Sequence, residues 1–197
     1  MELCDYNGWE NKFIWLVHLH LSSEEHLMNE MTSLVAETPI GYPVGKLVEQ
    51  WVREALTSWQ MNVPNRYRLY DGYLRLLAWD LVGSALAYAD WDMLVRLLSG
   101  ETITDDNFFT WSLFRSILND DHLYQPVGVL MNEASNVYAS ADAIKEWFEV
   151  QIDAWIDASA VRRQHNAMIS VVVYNLIQST YRVINWEHVA RAFQPGY

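Results

Sequence analysis

The chain has 197 residues, of which 51% are hydrophobic, and it carries a formal net charge of −12. Ten Trp and the lack of low-complexity tracts predict a globular protein with a substantial core, in one large domain or two small ones. Both halves are acidic, with −6 in residues 1–98 (7 basic, 13 acidic) and −6 in residues 99–197 (6 basic, 12 acidic). Because Lys and Arg must neutralise phosphates, this charge disfavours direct nucleic-acid binding and fits a basic protein partner.

The cysteine content and the first residues of the chain indicate the cellular compartment in which the protein is expected. Cys4 is the only cysteine, so the chain has no internal disulfide, and a reducing host-cell cytoplasm is expected. Residues 1–5 lack the pattern of a signal peptide, which has a basic segment before an apolar one. No apolar run approaches the roughly 18 residues of a membrane span, so we expect no membrane partner.

An internal repeat organises the chain. The segment Asn11–Leu27 returns as Asn107–Leu123, with Asn, Phe, Trp, an acidic pair, His and Leu in register. Four Trp pairs continue the repeat: Trp15 and Trp111, Trp51 and Trp147, Trp59 and Trp155, and Trp91 and Trp186, the last after the loss of one residue. The repeat predicts an all-α fold of two tandem copies of a roughly five-helix unit, packed with a pseudo-two-fold relation. Copy 1 spans 1–98, a polar linker 99–106, and copy 2 107–197.

In chain order, the predicted helices of copy 1 cover about 10–21, 23–37, 44–61, 66–88 and 90–98. The later helices of copy 2 cover about 120–138, 141–157, 160–183 and 185–193. Val17–Leu21 alternates like a strand and Ile169–Val173 is rich in β-branched residues. The matching segment of the other copy favours a helix in both cases, so we predict helices there.

Helix caps and core aromatics follow from the same comparison of the copies. Ser22 or Ser23 is expected to cap the second helix, and Asn119–Asp121 is the corresponding segment of copy 2. Aromatic residues that return in both copies, including Trp79 opposite Tyr174, are expected mostly in the core because each buries a large apolar area.

The segment Tyr6–Val17 resembles the opening of a family of small phage and plasmid proteins, whose hallmark is Asn-Gly-Trp-x-Asn-x-x-Thr-Trp-x-Val-x-Leu. The segment Ile184–Ala190 is similar to that family's closing Val-Asn-Trp-x-x-Ile-Ala. Ile14 replaces the Thr of the motif, which copy 2 keeps as Thr110. Members of the family look like single units, whereas this chain is doubled. The resemblance implies a mobile-element origin and an accessory role in infection or anti-defence, and it supplies no catalytic residue.

The densest group of metal-ligand residue types lies near the N-terminus and comprises His18, His20, Glu24, Glu25 and His26. A metal site requires these side chains to converge, yet on a helix His18 and His20 lie about 200° apart. Copy 2 has Phe114 and Ser116 at those two positions. The chain also lacks a glycine-rich nucleotide motif, HExxH and CxxC. We therefore predict neither a catalytic residue, a metal site nor a cofactor.

The predicted protein-binding residues form a row of acids in the third helix of copy 2: Asp142, Glu146, Glu149, Asp153 and Asp157. At 100° per residue these five residues, the carboxylate row, fall within a sector of roughly 80°. Ile144, Phe148, Ile152 and Trp155 lie on the opposite side. We expect the row to lack basic partners on its own helix, so that repulsion between like charges is not relieved.

Copy 1 places different residues at the positions of the carboxylate row, namely Lys46, Gln50, Arg53, Thr57 and Met61. The repeat fold therefore does not require the acids. A solvated helix face is the simplest explanation of the row. The functional explanation is a surface that mimics the phosphates of DNA, because neighbouring carboxylates lie about 5–6 Å apart.

Three functions are open at this point. The leading hypothesis is an acidic inhibitor from a phage or mobile element, of the anti-CRISPR or antirestriction type. It would bind a host protein through that protein's basic nucleic-acid-binding surface. The second is a non-enzymatic assembly module that forms homo-oligomers through apolar patches. The third is a metal-dependent enzyme that uses the cluster of His18, His20 and His26 with Glu24 and Glu25.

Overall fold

The computed structural model describes residues 9, 11–39, 42–61, 66–103, 107–158 and 167–191. Its helices are α1 (Lys12–Ser22), α2 (Glu25–Ala36), α3 (Val44–Met61), a 3-10 helix (Arg66–Tyr70), α4 (Asp71–Tyr88), α5 (Trp91–Leu98), α6 (Phe108–Leu118), α7 (Asp121–Glu133), α8 (Val137–Asp157), α9 (Ala167–Thr180) and α10 (Trp186–Arg191). The predicted all-α class is confirmed. Among the residues described, no helix is long and apolar enough to cross a membrane.

The two segments with β-like sequences are helical. Val17–Leu21 lies within α1, and Ile169–Val173 lies within α9. In α9 the residues Ile169, Val172 and Val173 are buried, so their packing outweighs the modest helix propensity of β-branched residues. Comparison of the repeat copies therefore predicted both segments correctly.

The cap of α2 differs from the prediction. Ser22 and Ser23 bond back to carbonyls at the end of α1, to Leu19 O at 3.3 Å and to His20 O at 3.0 Å. Glu24 caps α2 instead, because its carboxylate accepts the N–H of Leu27 at 2.8 Å. The side chains of the two serines are already used by the preceding helix, which leaves the N-cap position to the next residue.

The boundary between α7 and α8 was also predicted wrongly. We expected α7 to reach residue 138 and α8 to begin at 141, whereas α7 ends at Glu133 and α8 begins at Val137. Asn136 ends the break because its side-chain oxygen accepts the N–H of Ala139 at 3.0 Å. An Asn in extended conformation is a favourable N-cap, so α8 gains an extra turn at its start.

The contacts between Cα atoms divide the chain into two units. Residues 82–179 form one, which we call the continuous unit, and it contains α5, α6, α7 and α8. Residues 2–81 together with 180–197 form the other, which we call the split unit, and its described part contains α1, α2, α3 and α10. These ranges differ from the copies defined by sequence, 1–98 and 107–197. The pseudo-two-fold relation between the copies stays a prediction.

Each unit contains the last helix of the other sequence copy. In the continuous unit, α5 of copy 1 packs against α6 and α8 of copy 2. In the split unit, α10 of copy 2 packs against α1 and α3 of copy 1. The buried residues Leu94 of α5 and Val189 of α10 occupy matching repeat positions. The apolar side of each closing helix therefore completes the core of a unit built mainly from the other copy.

Most of the repeated aromatic residues are buried or half-buried, as expected. Trp51, Trp59 and Trp155 are buried in α3 and α8, and Phe13 and Phe109 are fully buried at matching positions of α1 and α6. The expectation is wrong for the pair on α4 and α9, and also for Tyr42 and its repeat equivalent Tyr138, which are both exposed. Trp79 is 50% exposed and Tyr174 is 38% exposed. Repetition of an aromatic residue thus does not by itself place it in the core.

Candidate protein-binding surface

The helix that carries the carboxylate row is built from a strong N-cap and one apolar side. Asn136 caps α8, which then runs for 21 residues. The buried side contains Ile144, Phe148, Ile152 and Trp155, which recur at helical spacing and are at most 2% exposed. This side packs against α5 and α7 within the continuous unit. The apolar contacts therefore fix which side of α8 faces solvent.

All five members of the carboxylate row lie on the exposed side of α8: Asp142, Glu146, Glu149, Asp153 and Asp157. Their positions agree with the sector predicted from the sequence, because α8 is helical over the whole segment. Adjacent members of such a row are about 5–6 Å apart. The row is a negative surface about four turns long.

The expectation that the row lacks a basic partner on its own helix is wrong for Glu149. Lys145 lies four residues before it, and the Lys145 Nζ is 4.0 Å from the Glu149 Oε1. Both side chains are almost half exposed, so solvent screens the attraction and the pair contributes little to stability. The pair lowers the negative charge at one point of the row.

In copy 1 the matching side of α3 has a structural role. Arg53, which corresponds to Glu149, forms an ion pair with Glu49 at 2.6 Å. Its guanidinium also lies over the ring of Tyr181, 4.1 Å from the ring centroid, so it helps to hold the segment that leads to α10. The two copies thus differ at this position: Arg53 of α3 contacts Glu49 and Tyr181 within its own unit, and Glu149 of α8 is exposed.

Two exposed apolar side chains accompany the carboxylate row, in addition to the acids predicted from the sequence. Tyr138 is 70% exposed at the start of α8, and Val150 is 57% exposed three turns later. Single exposed apolar residues are common on protein surfaces. Their position beside the row could have been found from the same helical spacing that identified the acids.

The predicted ligand cluster near the N-terminus does not converge. His20 points to Asp80, Glu24 caps α2, and Glu25 and His26 are exposed. The carboxylate of Glu24 has a lowered pKa, first because it accepts the N–H of Leu27. Among the residues that the structure describes, no group of three or more His, Cys, Asp or Glu is arranged to hold a metal ion. The cluster therefore has local structural roles.

His20 belongs to a polar pair that recurs in the other copy. The His20 Nε2 lies 2.6 Å from the Asp80 Oδ2, which links α1 to α4 in the split unit. At the matching positions of the continuous unit, Asn175 donates to the Ser116 hydroxyl at 2.9 Å. The chemistry of the pair changes between the copies while the contact is kept, so the pair joins two helices in each unit.

His18 belongs to a stack of three rings. The ring of Trp9 lies 4.6 Å from that of His18 and 4.7 Å from that of His188, measured between centroids. Burial lowers the pKa of His18, and the nearby imidazole of His188 lowers it further. The stack joins the Trp of the N-terminal motif to α1 and to α10, which is a packing role.

A polar network centred on Glu30 is specific to the split unit. Glu30 accepts the indole N–H of Trp51 at 2.8 Å and the hydroxyl of Tyr70 at 2.7 Å. Burial raises the pKa of Tyr70 to about 12, and the hydrogen bond to Glu30 adds to the rise. Copy 2 has Pro126 in place of Glu30 and therefore cannot form this network. The contacts span up to 40 positions, so sequence spacing did not indicate them.

No family model, no curated protein and no solved structure matches this chain.

Proposed function

We propose that this protein is an acidic inhibitor that binds the basic nucleic-acid-binding surface of a host protein. The carboxylate row of α8 is the contact surface. The observation that carries the proposal is the exposure of all five carboxylates along one side of a single helix. A phage or mobile-element origin, and a target in a defence complex of the CRISPR or restriction type, are part of the same proposal.

The difference between the copies supports a functional role for the row. Acidic residues four apart on a helix repel one another, at a cost of about 0.2–0.5 kcal/mol for each pair. The matching side of α3 has neutral or basic residues at these positions, and the repeat still folds into the same helix. Acids that the fold does not need, and that slightly destabilise α8, are better explained by a binding partner.

The charge of the whole chain fits such a partner. A net charge of −12 attracts a basic surface over long distances and raises the rate of association. Carboxylates spaced about 5–6 Å apart can replace the phosphates that a nucleic-acid-binding channel normally contacts. Binding of this kind would block the channel without any chemical step by the inhibitor.

The test is charge reversal of three residues of the row: Glu146→Lys, Glu149→Lys and Asp153→Lys. We expect the triple variant to lose the partner captured from a host lysate by the wild-type protein, with an unchanged helical circular dichroism spectrum. Affinity of the wild type should also fall steeply as salt is added. Unchanged binding by the triple variant would overturn the proposal.

A matched control changes the net charge equally, outside α8. Glu25→Lys, Glu37→Lys and Asp71→Lys alter three exposed acids of the split unit. If net charge alone attracts the partner, both triple variants should bind equally weakly. The proposal requires that the control keeps most of the affinity of the wild type.

A second candidate function, assembly of several copies through apolar surfaces, is favoured by a different observation. Leu76 on α4 and Val171 on α9 are both exposed and occupy matching repeat positions. Contiguous exposed apolar patches mark sites of protein–protein contact, and these two residues would contribute to one such patch in each copy. Light scattering should then show oligomers that persist in high salt, and Leu76→Gln with Val171→Gln should dissociate them. A monomer at all salt concentrations would exclude this function.

A further inference from the structure

Tyr138 is the most exposed of the large hydrophobic side chains in the described part of the chain, at 70%. It is the second residue of α8 and directly follows the exposed Val137. A tyrosine combines a large apolar ring with a polar hydroxyl group and loses little conformational entropy when it is fixed. Tyrosine is therefore enriched among residues that dominate binding energies.

Val150 lies on the same solvent-facing side of α8 and is 57% exposed. Twelve positions separate it from Tyr138, which corresponds to about 18 Å along the helix axis. Asp142, Glu146 and Glu149 lie between the two. This part of α8 is a strip with an apolar group at each end and three carboxylates between them, of which Glu149 pairs with Lys145.

The corresponding strip of copy 1 differs at one of its ends. Tyr42 matches Tyr138 and is also exposed, but Val150 is replaced by Glu54, which accepts the hydroxyl of Tyr67 at 2.7 Å. Since the acids between them are also missing in copy 1, the combination of apolar and acidic groups exists only on α8. Tyr42 thus offers a matched control with the same side chain and no acidic row.

We propose that this strip is a docking surface for a basic protein segment that also presents apolar side chains, and that Tyr138 and Val150 are its apolar anchors. The inference rests on the proposed function and names the kind of partner surface that the same site takes. Charge complementarity selects the partner, because the three carboxylates between the anchors face solvent on a protein of net charge −12.

Arginine suits both components of the strip. Its planar guanidinium can bind a carboxylate with two hydrogen bonds, and it can also stack on the ring of a tyrosine. Leucine or a similar residue on the partner would cover Val150. A partner that offers positive charge alone would leave both anchors exposed to water and would bind less tightly.

Two synthetic peptides with the same number of Arg residues test the proposal, using the full-length protein. One peptide carries Leu on the same helix side as its Arg residues, and the other carries Ser at those positions. We expect the Leu peptide to bind at least about tenfold more tightly than the Ser peptide. Tyr138→Ala and Val150→Ser should each remove most of that difference, and neither should change the salt dependence. Tyr42→Ala should bind like the wild type.

The outcomes separate this inference from the proposed function. If the two peptides bind equally, or if Tyr138→Ala behaves like Tyr42→Ala, the anchors are not used and the inference is wrong. If peptide binding survives reversal of Glu146, Glu149 and Asp153, the carboxylates are not used and the proposed function is wrong. If neither peptide binds, both are overturned.

Discussion

Asn11 and Asn107 form the same two kinds of hydrogen bond in the two units. The Asn11 Oδ1 accepts the N–H groups of Phe13 and Ile14, while its Nδ2 donates to the Val183 carbonyl at 2.8 Å. The Asn107 Oδ1 accepts the N–H of Thr110, while its Nδ2 donates to the Tyr88 carbonyl at 2.9 Å. Each asparagine therefore caps the first helix of its copy and also binds the segment before the closing helix of the other copy.

Substitution of Asn11 separates these two functions. Asn11→Asp keeps the capping oxygen but loses the donor to Val183, whereas Asn11→Ala loses both. We expect Asn11→Ala to lower the free energy of unfolding by about 1–3 kcal/mol, from one lost cap and one unpaired carbonyl. Asn11→Asp should lower the free energy of unfolding by an amount between zero and that of Asn11→Ala, because it keeps the cap and loses only the hydrogen bond to Val183. Urea unfolding followed by circular dichroism measures both effects.

Asn136 supplies the control for a cap without a distant hydrogen bond. It caps α8, and its Nδ2 contacts only the neighbouring Ser135 hydroxyl among the contacts that the structure resolves. Asn136→Ala should cost about 1 kcal/mol, as for an ordinary cap. If Asn11→Ala costs no more than Asn136→Ala, the bond to Val183 contributes nothing to stability.

Thr110 lies in α6 and stabilises the start of α5. Its side chain is fully buried, and its hydroxyl accepts the N–H of Asp90 at 2.8 Å. Thr110→Val preserves the shape of the side chain but removes the acceptor of the Asp90 N–H. We therefore expect the free energy of unfolding, measured in urea, to fall by about 1–3 kcal/mol. In Thr32→Val the hydroxyl removed is exposed, and we expect almost no change. Equal stability of the two variants would show that the Asp90 N–H finds another partner.

Tyr70 should make the protein less stable at alkaline pH. The folded protein keeps Tyr70 protonated up to about pH 12, whereas a tyrosine in the unfolded chain loses its proton near pH 10. The stabilisation is therefore fully present below about pH 10 and is lost as the pH rises toward 12. Urea midpoints measured across this range should fall, and the fall should be smaller in Tyr70→Phe. Absorbance at the tyrosinate band should lose one late titration step in that variant.

Tyr138→Phe is the control for the alkaline experiment. Tyr138 lies on α8, outside the network of Glu30 and Tyr70, so its substitution should leave that network in place. A Tyr70→Phe variant with the same alkaline response as the wild type would contradict the role assigned to Glu30 and Tyr70.

Cleavage between the sequence copies should not separate them. A protease site placed in the 99–106 linker would give two fragments, and each unit would still need a closing helix from the other fragment. We expect the cleaved protein to elute as one species in size-exclusion chromatography and to separate only in denaturant. Asn11→Ala combined with Asn107→Ala should weaken this association.

Separation of the two fragments would contradict this expectation. If the fragments separate without denaturant and each stays folded, each copy closes its own core, and the contacts of α5 with α6 and of α10 with α1 are not needed. The uncut protein carrying the same inserted site provides the reference.

The sequence predicted the carboxylate row well because the row depends only on helical spacing within one element. Its five members are exposed on α8 as expected, apart from the pairing of Glu149 with Lys145. The sequence did not predict the network of Glu30, Trp51 and Tyr70, because those residues meet through packing of separate helices. The structural roles of His18 and His20 likewise depend on contacts with residues that are far away in the sequence.

The sequence by itself determined most of the helical segments, the internal repeat in the sequence and the cap of α7 within Asn119–Asp121. These features depend on local patterns of apolar and capping residues, which act within a few positions. Only the tertiary structure decided which unit each closing helix completes. Helical spacing indicates which side of α5 or α10 is apolar, but it carries no information about which distant groove that side fills. The choice depends on contacts between distant parts of the chain, such as the hydrogen bond from Asn11 to Val183 and the burial of Val189 of α10.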